Sequence, residues 1–149
     1  RRSMLPHSGK YQARVAADVI LGRDAHATAD TAGAPRVTFT DPQVAAVGLT
    51  LAGAKEQGID ARAVDVTTSG NAGASFIGRN TPGTSRIVVD ERRRVVVGAT
   101  FVGFETAELA HSATIAIAGE VPLERLWEAI PTFPTRTEVW LRLLEKYGL

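Results

Sequence analysis

Residues 95–120, VVVGATFVGFETAELAHSATIAIAGE, are the part of the chain that most narrowly limits its fold. The first eight are mostly β-branched, which predicts a strand over Val95–Val102. The apolar residues that follow recur at helical spacing and stop at a glycine, so we expect a helix over Thr106–Ala118. A second β-rich run, Ser85–Asp90, lies just upstream, and the polar stretch Asp90–Arg93 predicts a tight turn between the two. Strands joined this closely pair antiparallel.

The other predicted elements give a strand-rich middle and a helical end. We expect strands at Arg36–Phe39, Val44–Val47, Arg62–Val66 and Ser75–Arg79, and helices at residues 6–21, Leu51–Gln57, Pro122–Ala129 and Thr135–Lys146. This order indicates an α+β fold, an α/β sandwich in which helices cover one face of a mostly antiparallel sheet. Residues 23–35, RDAHATADTAGAP, are small, polar and aperiodic, which is typical of a linker. The sequence therefore predicts two parts, residues 1–34 and residues 35–149.

Composition excludes several classes of function. The chain has 149 residues, enough for one domain with a proper core, and a net charge of +1 from 17 basic and 16 acidic residues. This balance gives no reason to expect a nucleic-acid partner, and no apolar run is long enough for a membrane helix. Cysteine is absent, which rules out a disulfide or a thiolate zinc site within these residues. We expect a cytoplasmic location and, because the sequence starts at Arg1, a fragment of a longer polypeptide.

Four motifs resemble a known family. They are FTDPQVAAVGLT at residues 39–50, the Gly98–Glu108 segment, Pro134-Thr135-x-x-Glu138, and SMLPHS at residues 3–8. All four are similar to the class I pyridine nucleotide-disulfide oxidoreductases, flavoenzymes that include dihydrolipoamide dehydrogenase and mercuric reductase. The resemblance implies that residues 35–149 form the carboxy-terminal dimerisation domain. Residues 1–34 would then be the end of the FAD-binding domain and a linker, with both dinucleotide-binding folds and any redox cysteine pair upstream.

The resemblance also implies a cofactor set and a partner. The parent protein would pass hydride from NAD(P)H to FAD and then reduce a small-molecule acceptor, while the fragment alone would bind neither cofactor and be inactive. One edge of the FAD site would be formed by the start of the chain, at Met4, Leu5, Pro6 and His7. The alternative interpretation of this run is an ordinary capped helix. A homodimer is expected, through apolar residues of the carboxy-terminal part: Phe104, Leu109, Ile115, Leu126, Trp127 and Trp140. The competing class is a non-catalytic homodimerisation module.

Phe133 departs from the family's active-site signature. The resembled motif is His-Pro-Thr-x-Ser-Glu, whose histidine and glutamate serve as acid and base for a dithiol, and Phe133 occupies the histidine position while Glu138 matches the glutamate. Phenylalanine cannot transfer a proton. The resemblance therefore implies an acceptor that needs no proton relay from this loop, such as a quinone, with Phe133 lining the flavin site of the other subunit. Simple packing of Phe133 in a core or interface is the alternative.

Thr135 and Glu138 also have a purely structural interpretation. Threonine followed three residues later by glutamate, ahead of an apolar run, is the pattern of a capping box at a helix start. Other candidates indicate no site. The three histidines show no metal-ligand spacing, and the glycine-bearing loops lack the spacing of a phosphate cradle. Arg92, Arg93 and Arg94 are expected in a solvated turn.

Overall fold

A computed structural model describes residues 4–78 and 81–149. The chain begins with helix α1, Pro6–Ile20, whose start is favoured by a proline in its first turn. Side chains join α1 to the following linker: Gln12 Nε2 donates to Asp30 Oδ1 at 2.8 Å, and Tyr11 Oη accepts from the backbone N–H of Ala29 at 3.2 Å. The amino-terminal part is thus held chiefly by its own linker.

Five strands form one antiparallel sheet in the order β1-β2-β5-β4-β3. Their bounds are β1 Arg36–Thr38, β2 Gln43–Gly48, β3 Ala61–Thr67, β4 Thr84–Asp90 and β5 Val95–Gly103. The predicted β4–β5 hairpin is confirmed, with β5 at the centre of the sheet. The α+β sandwich with an antiparallel sheet is likewise confirmed.

Helices cover the sheet and complete the core. They are α2 Leu51–Glu56, α3 Ala110–Ala118, α4 Leu123–Trp127 and α5 Val139–Tyr147. Helix α3 packs on β5 and β2, while α5 packs on β3 and β4. The largest fully buried apolar side chains come from both layers: Phe101, Ile87, Leu123, Leu143, Val47, Val88, Val89, Val96 and Val139. Among the described residues, no helix is long and apolar enough to cross a bilayer.

One predicted strand is wrong. Ser75 and Phe76 lie in a short 3₁₀ helix, Ala72–Phe76, and not in the expected strand Ser75–Arg79, whose last residue falls outside the described residues. Asn71 explains the difference, because its side-chain oxygen accepts from Ala74 N at 3.0 Å and so caps the turn. The predicted helix from Thr106 is also shorter, since a series of turns precedes α3.

The backbone approaches itself closely where β5 meets the end of β2. Leu49 N donates to Val97 O at 2.9 Å, and a Cβ placed on Gly98 would lie 1.8 Å from Leu49 O. Only glycine fits this position. This contact fixes β2 and the start of α2 against the central strand.

At the far edge of the sheet, Arg62 ties β3 to the last helix. Its guanidinium lies 3.9 Å from the centre of the Tyr147 ring and donates to Tyr147 O at 2.9 Å. The pair stacks a cation on an aromatic face and joins residues that are 85 positions apart in sequence.

Candidate functional site

The loop between α4 and α5 carries the residues for which the sequence predicts a function. Phe133 is 74% exposed and is followed by a cis peptide bond to Pro134. Its ring is therefore not buried in the core of its own chain, which excludes one of the two packing interpretations. An exposed aromatic ring on a proline-bounded loop is available to a ligand or to another subunit.

The predicted capping box does not form. The Thr135 hydroxyl donates to Thr132 O at 2.5 Å and contacts the Thr137 hydroxyl at 2.6 Å, so it makes no cap to the helix. A second short 3₁₀ helix, Arg136–Glu138, precedes α5. The prediction fails because the loop offers the threonine a nearer carbonyl acceptor.

Glu138 is the most unusual polar group of the loop. The residue is only 9% exposed, and its Oε2 atom is enclosed with no hydrogen-bond partner among the described residues. Buried polar atoms are almost always paired, so this enclosed carboxylate oxygen stands out from the other polar atoms of the loop. This is the position at which the sequence resemblance leads us to expect the family's glutamate, with Phe133 at the expected histidine position.

Arg136 is a positioning residue that the sequence analysis missed. Its guanidinium donates to Phe104 O and, at 3.3 Å, to Glu105 O, and so ties the loop to the turn that follows β5. Burial lowers the pKa of Arg136, and the Glu105 carboxylate 4.0 Å away offsets this only in part. No local sequence signal points to these contacts, because they join residues about thirty positions apart.

The loop is also held from its other side. A Cβ on Gly73, in the Ala72–Phe76 turn, would lie 2.1 Å from the backbone carbon of Thr135. The two 3₁₀ helices therefore pack backbone against backbone. With Arg136, this contact fixes the start of α5, and Phe133 lies at the exposed end of the loop that precedes it.

The residues predicted to border FAD lie at the start of α1. Met4 is 95% exposed and Leu5 39% exposed, and His7 Nε2 lies 2.7 Å from Pro35 O. The helix start has no side-chain cap and no acidic residue in its first turn. Its free N–H groups and dipole thus present positive potential, which suits an electron-rich ring. No hydrogen bond or ion pair of the described residues connects this group to the loop at 130–138.

A cavity of about 370 Å³ lies between α3, α4 and α5. Of the residues expected to provide a dimer surface, Ile115 and Leu126 line this cavity together with Trp140. The expectation is wrong for Leu109, which is 4% exposed and belongs to the core, because the turn before α3 directs it inward. Phe104 and Trp127 remain partly exposed, at 49% and 39%.

The basic run at residues 92–94 lies in a turn, as predicted. Arg93 pairs with Glu120 at 2.6 Å, and Arg94 with Glu124 at 2.5 Å. Both arginines therefore link the hairpin to the helical layer and do not form a free anion patch. Within residues 4–78 and 81–149, no three His, Asp or Glu side chains cluster as metal ligands would.

The sequence matches the family described as pyridine nucleotide-disulphide oxidoreductase, dimerisation domain, over residues 34–143. The chain belongs to this family.

Whole proteins with such a domain are similar to the chain over most of its length. Dihydrolipoyl dehydrogenase of Bacillus subtilis is 30% identical over 141 residues, covering 95% of this chain and 29% of that protein. The Halobacterium salinarum enzyme of the same name is 33% identical over 142 residues, with the same coverage of 95% and 29%. The chain thus spans about three-tenths of the length of these relatives.

Solved structures share the fold. The HOCl-induced flavoprotein disulfide reductase RclA of Escherichia coli superposes with a TM-score of 0.83 at 22% identity, covering 96% of this chain and 33% of that chain. LpdA of Mycobacterium tuberculosis gives 0.83 at 20% identity, covering 99% and 32%. At these identities the likeness establishes the fold alone.

Proposed function

We propose that the chain is the dimerisation domain, with the end of the FAD-binding domain, of an FAD-dependent NAD(P)H oxidoreductase. Residues 1–34 would belong to the FAD-binding domain and its linker, and residues 35–149 to the dimerisation domain. The parent protein would be a cytoplasmic homodimer. The family match and the similarity to dihydrolipoyl dehydrogenases support this proposal.

When bound in the parent protein, FAD would supply the redox chemistry that connects NAD(P)H to an acceptor. Met4, Leu5, Pro6 and His7 would border the flavin at the start of α1, where uncapped N–H groups and the helix dipole would favour negative charge. The rest of the cofactor site would come from the upstream domains. Phe133 would reach the flavin site of the partner subunit and provide an apolar wall beside the acceptor.

The proposal for the class of electron acceptor rests on two observations: Phe133 is exposed, and Glu138 on the same loop is enclosed. A disulfide acceptor needs a group on this loop that gives and takes protons as the dithiol forms. Phe133 has no such group, and no described residue makes a hydrogen bond to Glu138 Oε2. We therefore infer an acceptor that is a flat ring, such as a quinone, and that takes its protons from solvent.

The test is an assay of the full-length protein with NAD(P)H and two classes of acceptor. Wild type is expected to reduce a benzoquinone and to reduce lipoamide or glutathione disulfide about 10²–10⁴-fold more slowly than a histidine-bearing family member, which is the usual contribution of acid–base catalysis. Phe133→Ala is expected to weaken quinone reduction with flavin content unchanged.

Disulfide reduction by wild type at the rate of the histidine-bearing enzymes would contradict the acceptor class. Phe133→His provides the complementary variant, since it restores the missing group in a loop that is otherwise intact. A full-length protein that binds no flavin and oxidises no NAD(P)H would indicate the non-catalytic homodimerisation module.

A further inference from the structure

We propose that Arg136 sets the affinity of the parent protein for its quinone-like acceptor, because it holds the loop that carries Phe133 in place. Arg136 is thus a positioning residue that acts through Phe133. The inference rests on the proposed function, in which Phe133 borders the acceptor, and it names the residue that determines where that ring lies.

Arg136 is buried to a degree that is unusual for an arginine of this chain. Its side chain is 18% exposed, whereas the other arginines that form ion pairs in the described part of the chain are 43–66% exposed. Removing a guanidinium from water is costly unless its N–H groups find partners. Arg136 finds them mainly in two successive backbone carbonyls, those of Phe104 and Glu105. Two fixed acceptors define both the position and the plane of the guanidinium.

The turn that receives Arg136 is itself attached to the sheet. Thr106, which follows Phe104 and Glu105, is fully buried, and its hydroxyl donates to Gln43 O at 3.3 Å in β2. The next backbone N–H, that of Ala107, donates to the side-chain oxygen of Gln43 at 3.3 Å. The carbonyls that hold Arg136 therefore belong to a turn that is fixed against β2.

The backbone between Arg136 and Phe133 has little freedom. The ring of Pro134 fixes its own φ angle. The Thr135 hydroxyl donates to Thr132 O at 2.5 Å, and this bond closes the loop on either side of Phe133. The position of Arg136 is therefore passed along the backbone to Phe133.

Phe133 depends on this backbone for its position, because packing does not fix its ring. The residue is 74% exposed, so no core of its own chain encloses the side chain. Loss of the Arg136 contacts would consequently displace the wall of the acceptor site. A wall that contacts the acceptor equally before and during electron transfer contributes to KM and not to kcat.

The experiment measures KM and kcat of the full-length protein for a benzoquinone at saturating NAD(P)H. Phe133→Ala is expected to raise KM about tenfold, the upper end of what one aromatic contact contributes. Arg136→Met keeps most of the side-chain length but has no donor, and it is expected to raise KM about fivefold while kcat falls less than about twofold. Flavin content and circular dichroism show whether each variant folds.

Two further variants define the chemistry of the contact. Arg136→Lys keeps the charge but cannot present a planar pair of donors to two carbonyls, so we expect KM to rise about twofold to threefold. It also serves in place of the methionine variant if that variant does not fold. Arg142→Met is the matched control, since Arg142 is 49% exposed on α5 and pairs with Glu145 of the same helix at 3.0 Å. Its KM is expected to stay within about 1.5-fold of wild type.

The double variant separates positioning of Phe133 from a general structural role. In a Phe133→Ala background the ring that Arg136 positions is gone, so Arg136→Met is expected to raise KM by less than about 1.5-fold more. General damage to the fold would raise KM by the same factor in both backgrounds.

The outcomes separate this inference from the proposed function. An increase in KM with Phe133→Ala but not with Arg136→Met, or an equal effect of Arg136→Met in both backgrounds, would overturn the role of Arg136 and leave the proposed function standing. A wild-type protein that reduces no benzoquinone, or a Phe133→Ala variant with unchanged KM, would overturn the acceptor class and this inference together.

Discussion

Replacing Glu138 by methionine is expected to stabilise the chain. The carboxylate oxygen Oε2 is enclosed and has no hydrogen-bond partner among the described residues, so folding removes it from water with no compensating bond. A buried polar group in this state costs about 1–3 kcal/mol. Methionine has a similar length and carries no group that needs water or a partner.

The favourable interaction that Glu138→Met would remove is smaller than this desolvation cost. Glu138 directly precedes α5, where its negative charge interacts favourably with the helix dipole by about 0.3–1 kcal/mol. The difference predicts that Glu138→Met raises the free energy of unfolding by about 1 kcal/mol. For a chain of this size, that corresponds to a rise in Tm of about 2–4 °C.

Urea unfolding followed by circular dichroism, at one fixed protein concentration, measures the effect. Glu138→Gln keeps the shape and two polar atoms, so it is expected to recover less of the stability than methionine does. Glu108→Met, at an exposed carboxylate, controls for the loss of one negative charge and is expected to change stability by less than about 0.5 kcal/mol. A loss of stability in Glu138→Met larger than about 1 kcal/mol would refute the reasoning, because it would show that the carboxylate makes a favourable interaction in the folded chain.

Two further substitutions test the fold. Gly98→Ala is expected to destabilise the chain by about 3 kcal/mol, because its Cβ would meet Leu49 O at 1.8 Å. Gly9→Ala, which has open space around it in α1, is expected to stabilise the chain slightly. Thermal unfolding of the two variants measures the difference. Arg86 donates two hydrogen bonds to Asp65, of 2.6 and 2.7 Å, which lowers the pKa of Asp65. The contribution of the Asp65–Arg86 ion pair to stability is present above about pH 4 and is lost as pH falls through the lowered pKa of Asp65. In urea titrations, Asp65→Asn should therefore cost under about 1 kcal/mol at pH 7 and progressively less toward pH 3. An equal cost at both pH values would contradict the contribution of this ion pair.

The sheet could be predicted from sequence because its strands have strong local signals. The runs that became β4 and β5 are rich in valine and are joined by a polar turn, and the structure differs from the predicted bounds by one residue at one end of each. The stretch at Ala72–Phe76 gave no comparable signal. Its 3₁₀ helix depends on the Asn71 cap and on the contact of Gly73 with Thr135, and the second of these joins residues more than sixty positions apart.

The candidate site was only partly predictable for the same reason. The motif singles out Phe133 and Glu138 as candidates, since both lie in one short continuous segment. It could not show that Thr135 bonds back to Thr132, nor that Glu138 Oε2 is enclosed. The role of Arg136 was not foreseen, because its partners lie in the turn after β5 and only the folded chain brings them together.

Arg62 of β3 stacks on Tyr147 at the end of α5, so the last helix completes this edge of the sheet. This order bears on how the domain folds during its synthesis. Helix α5 is translated after all five strands, yet Val139, Leu143 and Leu144 of that helix are almost fully buried in the core. Until they emerge from the ribosome, the apolar face of β3 and β4 stays exposed, and the contacts that close it are of long sequence separation, which slows folding. The nascent sheet therefore depends on its last helix for protection from aggregation, and a ribosome that stalls before Val139 would release a chain prone to aggregate.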